Sequence, residues 1–140
     1  MFLLGLLTAG VFRADSVVSV GDKIGILEVE GTIVDAQLLV EQIVEFRDRN
    51  NIKAVVVRVD SPGGGVGPSQ EIYAELKKLA EEKPLVISMG SVAASGGYYI
   101  AVAGERIFAN PGTITGSIGV IMSFPNYQDL MGKVGIQTEV

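Results

Sequence analysis

The 140-residue chain has no histidine, no cysteine and no tryptophan. Without cysteine there is no disulfide, no thiolate nucleophile and no thiolate metal site, and without histidine the commonest zinc sites and the usual base of serine chemistry are missing as well. The redox compartment stays open. Charge is scarce too: 19% of residues are charged, the net charge is -5, and Lys77-Lys78 is the one basic pair, so nucleic acid finds no footprint. Partners are expected among peptides or small molecules. A long apolar run is also lacking, because "MFLLGLLTAGVF" gives twelve uncharged residues before Arg13 where a membrane-spanning helix needs about 20. This stretch has no basic residues ahead of it, as a complete secretory signal would. Residues 1–12 are therefore read as the remnant of an N-terminal membrane anchor, with a buried N-terminal helix as the plainer alternative, and residues 13–22 ("RADSVVSVGD") as a polar connector.

What is present is apolar: 48% hydrophobic residues in a chain of this length suffice for one folded domain, placed at residues 23–140. "KIGILEV" reads as a strand, and Asp35 as the cap of a helix through "AQLLVEQIVEFRDRN" with Leu39, Ile43 and Phe46 on one face. "IKAVVVRV" is a nearly continuous β-branched run, which suits a strand covered on both faces. After the turn "DSPGGGVG", Pro68 is placed at the first position of a helix with Ile72, Leu76 and Leu79 buried, ending near Lys83. "PLVISM" is the next strand, "SGGYYIAVAG" a short buried helix closed by Gly104, and "RIFAN" and "GSIGVIM" short strands. A last helix, "NYQDLMGKVG", leads to a strand at "IQTEV". This βαβ alternation predicts an α/β fold with a mostly parallel sheet and right-handed crossovers.

The glycine turn does not fit a nucleotide. A phosphate-binding loop needs Lys and Ser/Thr after its second glycine, whereas Pro68-Ser69-Gln70 follow here, and the Gly63, Gly65, Gly67 spacing is not a dinucleotide fingerprint. No cofactor and no metal are expected. What the loop offers is backbone N–H groups with no side chains in the way, although a plain strand-to-helix turn would also use glycines. Ser95 lies at the same end of its own strand, and loops after adjacent parallel strands meet at the carboxyl edge. A serine at a helix start is ordinarily an N-cap; beside the glycine loop it becomes a candidate nucleophile. The amides of Gly64 and Gly96 then form a candidate oxyanion hole, each such donor contributing on the order of 3 kcal/mol to an acyl-transfer transition state. With no histidine, the remaining base is a lysine with a depressed pKa. None of the six lysines (23, 53, 77, 78, 83, 133) is convincing, each reading as surface charge, and Asp60 and Glu105 are poor bases for a hydroxyl.

"VVVRVDSPGGGV" followed by "PLVISMGSVAASGGYYIAVAGERIFANPGTITGSIGV" closely resembles signal peptide peptidase A of the short type, peptidase family S49, within the ClpP/crotonase-like superfamily, over residues 22 to 140. The resemblance implies a ClpP/crotonase-like fold of repeated β-β-α and βαβ units, of which this chain would be the N-terminal half. It implies a Ser-Lys serine endopeptidase that degrades signal peptides and other hydrophobic peptides at the membrane, held by a single N-terminal anchor with its protease domain on the extracytoplasmic side. It also implies a homo-oligomeric ring or dome. Carried over by position, Ser95 resembles the nucleophile, Gly64 and Gly96 the oxyanion donors, and the base lysine is expected beyond Val140, so that the 140 residues alone are expected to be inactive or very weak. Three alternatives stand beside this reading: a membrane-bound ClpP-class protease of the stomatin-associated type, a crotonase-like acyl-CoA enzyme, and a non-catalytic module gripping peptides through glycine amides.

Overall fold

The computed structural model describes residues 21–136, so the apolar stretch 1–12, most of the connector and all of "IQTEV" except Ile136 lie outside the described residues. Five strands and four helices alternate: β1 (Lys23–Ile33), α1 (Gln37–Asp48), β2 (Ile52–Gly64), α2 (Val66–Glu82), β3 (Leu85–Ala94), α3 (Gly96–Ala101), β4 (Arg106–Phe108), β5 (Ile114–Gly116) and α4 (Gln128–Lys133). All pairings are parallel, in the order β1-β2-β3-β4, with β5 joining β3 further along the edge that β4 uses.

The apolar stripes decide which faces are buried. Ile43 on α1 and Ile72, Leu76 and Leu79 on α2 recur at helical spacing and are sealed against Leu27, Val55, Val57, Val59, Leu85 and Ile87 from the strands. Each such side chain stabilises the fold by about 1.5–3 kcal/mol on burial. Asp35 does support the start of α1, accepting the Gln37 amide through Oδ1 at 2.8 Å, although Ala36 holds the cap position itself.

Covering of β2 on both faces is not what the structure shows. α1 and α2 touch each other on one side of the sheet, while Ile24 and Ile26 on the other side are 67% and 63% exposed and Ala54 and Val56 are half-buried. The strand order supplies the reason. Each strand is added on the same side of the last, so crossovers of one hand carry α1, α2 and α3 to the same face. Three boundaries also shift. β2 runs on through the glycine turn to Gly64, because Thr32 and Ile33 pair with Gly63 and Gly64. α2 begins at Val66, which puts Pro68 third in its first turn, where a missing N–H is still harmless. The strand expected at "GSIGVIM" ends at Gly116 instead, since its partner β3 stops at Ala94. No described helix is long and apolar enough to cross a membrane.

Ion pairs tie α1 to α2. Arg47 meets Glu75 at 3.1 Å, and Lys78 also pairs with Glu75, so its carboxyl is held below its ordinary pKa by the Lys78 hydrogen bond first and by Arg47 second, against an opposing effect of burial. A depressed folded pKa contributes stability that is complete above the unfolded carboxyl's value of about 4.3 and is lost as the pH falls towards the lower folded value. In urea titrations, Glu75→Gln should therefore narrow its deficit against the parent between pH 6 and pH 3, both ends chosen to bracket that range of about 4. Leu76→Ala, which opens the core beneath α2, should lower the unfolding free energy by about 2–5 kcal/mol at either pH.

Candidate active site

β3 delivers its last residue, Ala94, to the carboxyl edge, and the chain then turns through Ser95 into α3. Ser95 has φ 50° and ψ -117°, a conformation that costs a residue with a Cβ on the order of 1–3 kcal/mol. An ordinary N-cap is extended and uses its side chain to bind the helix. Ser95 does neither: its Oγ makes no capping bond. Its backbone is fixed instead, the amide donating to the Gly116 carbonyl at 2.8 Å and the carbonyl accepting from Tyr99 at 2.9 Å. The hydroxyl is thus presented half-buried and unspent among the described residues.

The glycines around it are demanded by close approach. Gly63, at φ 96°, lies so near the turn that a Cβ there would sit 2.6 Å from the Gly96 nitrogen and 2.9 Å from the Ser95 Cβ. A Cβ on Gly64 would strike the Ile33 carbonyl oxygen at 2.1 Å, and one on Gly96 would lie 2.4 Å from Ser69 Oγ. Side chains are therefore excluded where backbone must meet backbone. Ser61, fully buried, locks this arrangement by donating to the Gly31 carbonyl at 2.6 Å and accepting the Gly63 amide at 3.1 Å.

Ser95, Gly64 and Gly96 line one cavity of about 280 Å³, so the three residues singled out in the sequence do come together. Its apolar wall includes Val66, Tyr99, Ile118 and Val120. A larger open hollow of about 620 Å³ between α1 and α2 is lined by Asp35, Glu41, Glu71 and Glu75 and contains none of the three. The smaller cavity is the one with chemistry. Sequence reasoning missed Ser69, which is buried in the same wall and donates to the Gly65 carbonyl at 2.8 Å. A signal existed: Ser69 falls on the apolar stripe of α2, three residues before Ile72.

No lysine, arginine, aspartate or glutamate lines this cavity among the described residues. Lys23 and Lys53 stand at the starts of β1 and β2, the edge opposite Ser95, and Lys53 faces Asp22 at 3.7 Å. Lys77 is exposed on α2, Lys78 pairs with Glu75, and Lys133 is exposed on α4. Lys83 corrects the surface reading, since it is half-buried and donates to the carbonyls of Phe46 (2.6 Å) and Arg49 (2.7 Å), closing the C-terminal end of α1. Asp60 accepts the Val92 amide at 3.0 Å, and Glu105 lies exposed beside the amino end of β4.

Comparison with known proteins gives this geometry its relatives. Residues 77–140 match the profile of Peptidase family S49. The chain is 43% identical over 115 residues to the chloroplastic serine protease SPPA of Arabidopsis thaliana, covering 82% of this chain and 17% of that protein. It is 37% identical over 131 residues to Protease 4 of Haemophilus influenzae, covering 86% of this chain and 21% of that one. The family likeness thus covers residues 77–140, the part of the chain that holds Ser95 and Gly96. The chain spans less than half the length of these relatives. Among solved structures, a membrane-bound stomatin-specific protease superposes with a TM-score of 0.62 at 21% identity, over 76% of this chain and 52% of the other. A ClpP1 variant from Listeria monocytogenes gives 0.56 at 21% identity, over 64% and 52%. The chain accordingly has the ClpP/crotonase-like α/β fold that its sequence resembled.

If contact between Gly63 and the Ser95 turn organises the site, Gly63→Ala should lower the unfolding free energy by at least about 1–3 kcal/mol through strain. Gly67→Ala, where an added Cβ meets nothing beyond its chain neighbours but precedes Pro68, should leave it within about 1 kcal/mol of the parent. Urea denaturation of the two variants side by side checks the pair.

Proposed function

We propose that this chain is a member of peptidase family S49 and carries the nucleophile half of a serine endopeptidase acting on hydrophobic peptides, signal peptides among them. The observation that carries the reading is Ser95 itself: a strained residue at a strand-to-helix turn, hydroxyl free, in one cavity with Gly64 and Gly96. The protease names of relatives with 37% and 43% identity support it. In this mechanism Ser95 Oγ attacks the scissile carbonyl carbon while its proton passes to a neutral lysine amine. The oxyanion accepts from the Gly64 and Gly96 amides, each such donor lowering the barrier by on the order of 3 kcal/mol. Collapse expels the amine, which takes the proton from the lysine, and water then releases the acyl group from Ser95 by the same path.

The base belongs to a lysine beyond Val140, because none of the lysines within the described residues faces Ser95. The apolar wall of Val66, Ile118 and Val120 suits hydrophobic substrate side chains. Work at a membrane, through an anchor that includes residues 1–12 and with the protease domain on the extracytoplasmic side, and assembly into a homo-oligomeric ring or dome complete the proposal. The likeness to ClpP-type folds supports the assembly.

The test is hydrolysis of a fluorogenic hydrophobic peptide by the 140-residue chain and by a form extended past Val140, each with and without Ser95→Ala. Activity should appear on extension and fall by at least about a thousandfold with Ser95→Ala. Activity that survives Ser95→Ala would remove Ser95 as nucleophile and the proposal with it.

A further inference from the structure

The ladder between β2 and β3 is interrupted just before the catalytic turn. Val59 pairs with Met89 and Ser61 with Ala93, so one residue of β2, Asp60, faces three of β3, Gly90, Ser91 and Val92. Side chains take over the backbone groups there. Arg58 Nη1 donates to the Met89 carbonyl at 2.9 Å, Thr113 Oγ1 to that of Gly90 at 2.8 Å and Thr115 Oγ1 to that of Ala93 at 2.8 Å. Asp60 Oδ1 accepts the Val92 amide at 3.0 Å. Its other oxygen is wedged against the strand, since a Cβ on Gly90 would lie 2.5 Å from Asp60 Oδ2.

We propose that Asp60 is the positioning residue for Ser95, replacing the missing ladder bonds so that the end of β3 is held in the register that aims the nucleophile. This rests on the reading of Ser95 as nucleophile. Asp60 does not line the cavity and touches no reacting atom; it acts through Ala93 and Ala94, the two residues that separate Val92 from Ser95. Its neighbour Ser61 binds the Gly63 amide, and Gly63 packs on the Gly96 nitrogen. The Asp60-Ser61 pair therefore fixes both arms of the site from one point on β2. An acceptor oxygen is what the role requires, not a negative charge, because the partner is a neutral amide.

The experiment compares Asp60→Ala and Asp60→Asn in the form of the protein that hydrolyses peptides, alongside amide hydrogen exchange on the 140-residue chain. Misplacement of a nucleophile by about 1 Å costs about a hundredfold, so Asp60→Ala should lower kcat by that order with KM within about threefold. Asp60→Asn keeps an Oδ1 acceptor and should restore kcat to within about fivefold of the parent. The Val92 amide should exchange at least about tenfold faster in Asp60→Ala and at the parent rate in Asp60→Asn. An Asp60→Ala variant with parental kcat, or an Asp60→Asn variant as impaired as Asp60→Ala, overturns the inference. Unchanged Val92 protection in Asp60→Ala overturns it too, whatever the activity. A parent enzyme indifferent to Ser95→Ala would instead sink the peptidase reading, leaving the exchange rates to decide whether Asp60 holds the strand.

Discussion

The contact of Gly63 with the Ser95-Gly96 peptide is the constraint on which the site depends. It brings the ends of β2 and β3 closer than side chains allow, and glycine at 63 and 97 is the local consequence, Gly97 lying against the Ser61 carbonyl, while Gly64 and Gly96 are demanded by Ile33 and Ser69. What results is a wall of backbone. Amide groups held in this way need no side-chain rotamer to be frozen, so their direction is set by the fold itself. The strained torsion of Ser95 belongs to the same arrangement: a cost of about 1–3 kcal/mol is tolerable only where the surroundings over-determine the geometry. Here a hydrogen bond from Ser95 to Gly116, the first turn of α3 and the packed glycine all act on one residue.

That local strain rests on a conventional core. The residues sealed between the sheet and α1, α2 and α3 are almost all aliphatic, and two of them fully buried stabilise the fold by more than the turn costs, at about 1.5–3 kcal/mol each. The one-sided sheet follows from winding in one direction, and winding in one direction also brings the carboxyl ends of β1, β2 and β3 side by side at one edge. Ile33, Gly64 and Ala94 end there in turn. Topology therefore places the site, and the open face with Ile24 and Ile26 is its by-product.

Much of this was legible in the residues. The stripes Leu39, Ile43, Phe46 and Ile72, Leu76, Leu79 are periodic, and a 3.6-residue period belongs to the chain alone. Ser95, Gly64 and Gly96 were legible because few structural tasks require so many small residues after two successive strands. The open face was not, since Ala54 and Val56 are as apolar as the Val55 and Val57 that alternate with them, and only tertiary covering tells the two faces apart. Nor were Asp60 and Ser61. Their partners, Val92 and Gly31, lie about thirty residues away in the chain, and such pairings have no local pattern. The length of β2 escaped for the same reason: three glycines and a proline read as a turn until Thr32 and Ile33 supply their ladder.

The described cavity carries no charged side chain: its lining is hydroxyls, amides and apolar side chains. A serine hydroxyl in such surroundings is not a nucleophile, because strain aims Oγ without making it basic. Geometry and activation are thus separable in this fold. The first is built into β2, β3 and the glycine contact and needs no charge; the second needs one base brought to Oγ. On the proposed reading, a base that arrives on another segment meets a hydroxyl already aimed and amides already in place. Reorganisation on its arrival is confined to the base itself, which is the condition under which preorganised donors contribute most to a transition state.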